Sequence, residues 1–269
     1  MVIDEPDAYE IDQMDEAAIG IFEPGSLVEQ NMDWGKFSKV LLYVLLGWVM
    51  MFVLTFIIMI PLIGVVGIMG ILEDPWAFLI LTFAEFGFIL PVVYYLKKEG
   101  LGLRSVGLKK LTSVTDMALG LIVGFLMLGA NLVISYFMSL VIPELGGDEL
   151  GFNPPEGEMA QLIWISAWTI AMFAVVGLSE EIVFRGFLQR RMEMYYRNKG
   201  TLNYKLYALA LTSFIFAAIH LDLIGLGTRF VLGLFMGYLA QRRKYSLIGP
   251  IVAHGVNNSA VVIFALLGF

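Results

Sequence analysis

Long apolar stretches succeed one another along this chain, broken only by short polar segments. The stretches are continuous rather than alternating, so they predict helices and not strands. Seven candidate membrane spans follow: 37–72, 76–96, 116–142, 159–190, 204–220, 229–242 and 245–269. A run of about 20 apolar residues crosses the hydrocarbon of a bilayer, and only helices or closed barrels satisfy their backbone groups there. The first run is too long for one straight span. Pro61, followed by Gly64, Gly67 and Gly70, predicts a bend or a second, re-entrant piece. The sixth is short and must tilt or lie inside the bundle. The fold class expected is all-α, a polytopic transmembrane helical bundle of about seven to eight helices.

Composition sharpens this picture. Hydrophobic residues make up 59% of the chain and charged residues 15%, against about 25% charged in a soluble domain. The absence of cysteine excludes disulfides, thiolate metal sites and a cysteine nucleophile. Residues 1–35 contain no Lys or Arg, so they do not read as a secretory signal. They read as an acidic, flexible cytoplasmic tail ahead of a single transmembrane domain at 36–269. Much of the net charge of −7 comes from that tail, and the acidic balance argues against nucleic acid as a partner.

Charge also divides the connecting segments. Lys97, Lys98, Arg104, Lys109 and Lys110 fall in one, Arg190, Arg191, Arg197, Lys199 and Lys205 in a second, and Arg242, Arg243 and Lys244 in a third. Glu73, Asp74, Glu144, Asp148, Glu149, Glu156, Glu158 and Asp222 fall in the alternate ones. The Lys/Arg bias places the basic segments in the cytoplasm. The short loops suit a multi-pass protein of a prokaryotic plasma membrane, with an internal eukaryotic membrane such as the endoplasmic reticulum as the alternative.

Ionisable groups inside hydrocarbon are costly, which makes each a candidate for function. They are Glu85 in the second run, Glu180, Glu181 and Arg185 in the fourth, and His220 at the end of the fifth. His254, Asn257 and Asn258 follow in the seventh. If the fourth and fifth runs form a hairpin turning at Gly200, Glu180 lies twenty residues before the turn and His220 twenty after it. The two then share one depth. Glu181 precedes Arg185 by four, the favourable order for an ion pair on a helix face, and His254 shares a face with Asn258. With Arg185 neutralising Glu181, Glu180 remains as a general base. Water held between Glu180 and His220 would attack a carbonyl, and His254 and Asn258 would donate to the oxyanion. Bringing His254 to the same depth requires the hairpin to protrude into the cytoplasm by about 15 Å, at 1.5 Å per residue. The polar stretch 189–205 permits this.

Three motifs stand in order on separate apolar runs: Glu-Glu-x-x-x-Arg at 180–185, Phe-x-x-x-His at 216–220 and His-x-x-x-Asn at 254–258. The set resembles the CPBP intramembrane protease family, which contains the type II CAAX prenyl endopeptidases and bacteriocin-processing relatives. The likeness covers about 178–259; elsewhere only hydrophobic helices match. It implies an intramembrane endopeptidase acting near the C-terminus of a lipidated, CAAX-type prenylated or membrane-associated protein or peptide, with membrane lipid as a second partner. It implies that Glu180 and His220 hold the water, that His254 and Asn258 form the oxyanion site, and that Glu181 and Arg185 support it. It further implies a conical cavity open to the cytoplasmic side. No cofactor is assigned; a divalent metal such as zinc, if present, would take Glu180, His220 and His254.

Each group also has an ordinary explanation. Glu180, Glu181 and Arg185 can be a structural ion pair near the interface, His220 a helix cap, and His254, Asn258 and Asn131 interhelical glue. Glu85, without an evident partner, reads as structural. Together the groups would also suit a proton relay in a transporter, although no inverted repeat is visible. A non-catalytic immunity or scaffold protein on the same fold is the other alternative. Ser179, Ser213 and Ser259 lack the tight glycine-rich setting of a serine nucleophile.

Overall fold

The computed structural model describes residues 32–108, 113–141 and 155–266. The acidic tail up to residue 31, Lys109 and Lys110, Glu144, Asp148 and Glu149, and the last three residues of the seventh expected span lie outside the described residues. Every regular element among those described is helical: α1 (Trp34–Glu73), α2 (Pro75–Lys98), α3 (Val114–Val141), α4 (Glu158–Asn198), α5 (Tyr204–Ala218), α6 (Leu226–Arg242) and α7 (Ile248–Leu266). The first four are long and apolar enough to cross a membrane. Their outer faces carry exposed Phe56, Ile60 and Val65 on α1 and Phe125, Tyr136 and Phe137 on α3. A water-soluble surface does not carry such a continuous apolar face; the chain is an integral membrane protein.

Local chemistry sets the ends and bends. Asp33 starts α1 by accepting from the Lys36 amide at 2.8 Å. Asp74 starts α2 by accepting from the amides of Trp76 and Ala77, with Pro75 in the first turn. Pro61 does not break α1; helical geometry lapses at Gly67, where φ is +76°, a conformation that costs glycine little. Tyr245, expected within the seventh span, instead precedes α7 with φ of +59°.

Small residues bring the helices together. A Cβ on Gly120 would strike Gly249 and Val252 of α7, and one on Gly124 would strike Val256 and crowd Ala253, so α3 and α7 run parallel in close contact. Gly47 and Gly87 form a similar seam between α1 and α2. Helices in lipid gain little from hydrophobic burial against one another, and close backbone approach takes its place. α4 runs antiparallel to α7, with Gly177 against the Ile251 carbonyl and Trp168 in one apolar cluster with Val262.

The expected hairpin of α4 and α5 forms, with Gly200 at φ of +72° in its turn. Its end is not a bare polar projection, however. Residues 189–195 are buried, and Met192, Met194 and Tyr195 share one core with Phe37 and Val40 of α1 and with Val106. Some of their polar atoms have distant partners: Arg190 donates to the Ser105 carbonyl at 3.1 Å, and Glu193 accepts from Tyr245 and Gln241. Nearby, Asp116 accepts from Arg243 and Ser246. Charges that suggested solvation along the sequence are buried against backbone carbonyls and polar side chains from distant segments.

Candidate active site

The central stretch of α4 is irregular in a specific way. Widened π-helical turns at Met172–Gly177 and Ile182–Gln189 flank four regular residues, Leu178–Glu181. Such turns are rare and concentrate at functional sites. At the first, a Cβ on Gly177 would press on the carbonyls of both Met172 and Ile251. Glycine therefore lets α4 widen and α7 approach at the same point.

From this stretch Glu180 and Glu181 leave in different directions. Glu181 is fully buried, and its Oε1 accepts from Arg185 Nη1 and from His254 Nδ1, both at 2.9 Å. Arg185 is also buried, with its guanidinium 4.4 Å from the centre of the Phe216 ring. A carboxylate only accepts, so His254 carries its proton on Nδ1. Its Nε2 then faces Glu180 Oε2 at 3.6 Å. His220 is locked in the same sense: its Nδ1 donates to the Phe216 carbonyl at 2.8 Å, and its Nε2 lies 3.9 Å from Glu180 Oε1. Each imidazole thus presents Nε2 to one oxygen of a single carboxylate. The separations are too long for direct hydrogen bonds and suit a shared water. Glu180 Oε2 is buried and has no hydrogen-bond partner.

Neighbours hold the rings. Phe216 stands edge-on to both imidazoles, 5.2 Å from His220 and 6.1 Å from His254 between ring centres. His220 lies just past the end of α5, not within it as the span 204–220 implied. Trp48 of α1 pins that end by donating Nε1 to the Ile219 carbonyl at 3.1 Å. Asn258 lines the same cavity, and its Oδ1 accepts from Asn257 Nδ2 at 3.1 Å. That leaves the Asn258 amide as a donor toward the cavity.

A cavity of about 580 Å³ extends from these groups, walled by Met127, Trp168, Met172 and Met236 among others. Three of its lining positions went unread in the sequence as functional. Glu85, taken as structural, contributes a carboxylate whose Oε2 is buried without a partner. Asn131, taken as packing glue, lines the wall. Asp222, assigned to an outer acidic loop, lies two residues after His220 and binds Arg229 Nη1 at 2.6 Å. Opposite charges across a short turn were the available signal, but nothing in it pointed inward.

The cavity lies on one side of the Glu180 level. Toward the basic segments, Gln189, Arg190, Arg191 and Glu193 are buried. On the other side the lining reaches Asn131, Ser135 and Met138 of α3 and Val261 of α7, with Ser135 and Val261 exposed. The buried side chains at 189–195 fill the basic side, and the lining of the cavity extends away from it. Zinc was expected, if at all, on Glu180, His220 and His254. Among the described residues no group of three or more His, Asp or Glu side chains is arranged to hold a metal ion.

Residues 162–260 match the family described as Type II CAAX prenyl endopeptidase Rce1-like, the kind of family that the three motifs resemble. No curated protein and no solved structure matches the chain. The matched segment contains Glu180, Glu181, Arg185, His220, His254 and Asn258. The match covers 99 of the chain's 269 residues and is a likeness of that segment to a prenyl endopeptidase family.

Proposed function

We propose that this protein is a glutamate-dependent intramembrane endopeptidase that hydrolyses a peptide bond near the C-terminus of a lipidated, CAAX-type protein. The observation that carries the reading is the approach of two imidazole Nε2 atoms to the two oxygens of buried Glu180, at the floor of a cavity. A water there meets two acceptors, the Glu180 carboxylate and the unprotonated Nε2 of His220. With both its hydrogens so engaged, its lone pair is left for a substrate carbonyl. Glu180 takes one proton as the oxygen attacks, and returns it to the departing amine as the C–N bond breaks. His254, donating Nδ1–H to Glu181, can also donate from Nε2 as imidazolium; Glu181 supports that charge. Asn258 is the second donor to the oxyanion. Arg185 keeps Glu181 from becoming a competing base.

The charge bias argues for basic segments in the cytoplasm, and the short loops suit a prokaryotic plasma membrane. The test is cleavage of a farnesylated peptide ending in a CAAX sequence by the purified full-length protein in lipid vesicles. Release of the C-terminal fragment is expected, with a loss of at least about 10²-fold in Glu180→Gln and a similar loss in His220→Ala. Undiminished cleavage by Glu180→Gln would remove the assigned base.

A further inference from the structure

Charge is distributed unevenly around the cavity. Glu85, Glu180 and Asp222 supply carboxylates, and Arg229 is the only Lys or Arg lining it among the described residues. Arg229 stands in the first turns of α6, just after the bend that follows His220. Its Nη1 donates to Asp222 Oδ2 at 2.6 Å, while Asp222 Oδ1 accepts from the amides of Ile224 and Gly225 at 3.0 and 3.1 Å. Turn, carboxylate and guanidinium are thus tied into one unit. A guanidinium has five N–H donors, and the bond to Asp222 uses one of them. The side chain remains 32% exposed.

We propose that Arg229 is a carboxylate clamp that binds the free α-carboxylate at the end of the substrate, positioned by Asp222. The clamp rests on the endopeptidase reading and names what that site selects. Asp222 follows His220 by two residues, which spans at most about 7 Å of chain. Three extended substrate residues span about 10 Å, so a terminus held at Arg229 sets the scissile bond near Glu180, a few residues from the end. Arginine matches a carboxylate with two parallel hydrogen bonds. The intervening side chains meet Met127, Met172 and Met236, whose flexible thioethers accommodate varied apolar groups. The clamp excludes internal peptide bonds, because a chain that continues has no carboxylate to offer.

The test uses two fluorescent farnesylated peptides, identical except that one ends in a carboxylate and the other in a carboxamide. Binding is measured to the full-length Glu180→Gln chain in phosphatidylcholine vesicles, where the base is absent. The carboxylate peptide is expected to bind roughly tenfold more tightly, the scale of a charge-assisted hydrogen bond. Adding Arg229→Gln should bring the two peptides within about twofold, while Arg229→Lys, which keeps the charge without the fork, should retain part of the preference. Equal affinity for the two peptides, or a preference that survives Arg229→Gln, overturns the clamp. Cleavage by the parent chain separates the two ideas. If neither peptide is cut but the binding preference holds, the clamp stands and the peptidase reading falls. If both are cut equally well, the clamp falls and the peptidase stands.

Discussion

On the side of the basic segments, α4 is buried without interruption from Ile182 to Tyr195, and Arg190, Glu193 and Asp116 all meet polar partners there. On the other side, α3 has no buried residue after Leu128, and the space between its second half and α4 is cavity. Glu180 sits at the boundary. A hydrolase in a membrane needs water at one carboxylate without a path for water through the bundle. The closed side supplies the barrier, and the open side admits substrate and water. The same boundary separates two kinds of polar residue: those whose loss unfolds the protein, and those whose loss leaves a folded, inert one.

Glu180 and Arg185 test that separation most sharply. Glu180→Gln is expected to lose at least about 10²-fold in cleavage while melting no lower than the parent, because Glu180 Oε2 has no hydrogen bond to lose. Arg185→Met leaves Glu181 buried and deprived of its cation. Breaking one partner of a buried pair costs about 3–5 kcal/mol, so thermal unfolding in detergent should fall clearly, with activity lost as a consequence. If the two variants melt alike, chemistry and scaffold are not divided at this boundary.

Much of this arrangement was legible from the chain. Apolar run lengths predicted the helices, and equal spacing about Gly200 put Glu180 and His220 at one depth; in the structure they stand 3.9 Å apart. The Glu181–Arg185 pair followed from helical periodicity. What stayed hidden depends on contacts between distant segments. The π turns around Leu178–Glu181 arise where α7 approaches Gly177, which no local pattern reports. The His254 bond to Glu181 depends on how far α4 slides past α7. Glu85 looked isolated because its neighbours in the cavity come from other helices. Residues 189–195 looked solvated because their partners, Ser105, Gln241 and Tyr245, lie far off in sequence.

The smallest effects come from two glycines five positions apart on α3, and they probe the packing difference along one helix. Gly124 lies in the first half, where an added Cβ would come 2.7 Å from Val256 and 3.0 Å from the Ala253 carbonyl. Gly124→Ala should therefore push α3 from α7, at a cost of about 1–3 kcal/mol for overpacking. The shift would also displace His254, one residue from Ala253, so cleavage should drop with stability. Gly129 lies in the second half, where an added Cβ meets nothing within 4 Å. There Gly129→Ala removes only the helix-weakening freedom of glycine and should stabilise by up to about 1 kcal/mol. The check is the melting temperature of each variant in the same detergent. Opposite signs confirm that α3 is packed on one side of Glu180 and free on the other. A destabilised Gly129→Ala would mean that its second half packs against something in the working protein, and that the cavity mouth is narrower than it stands here.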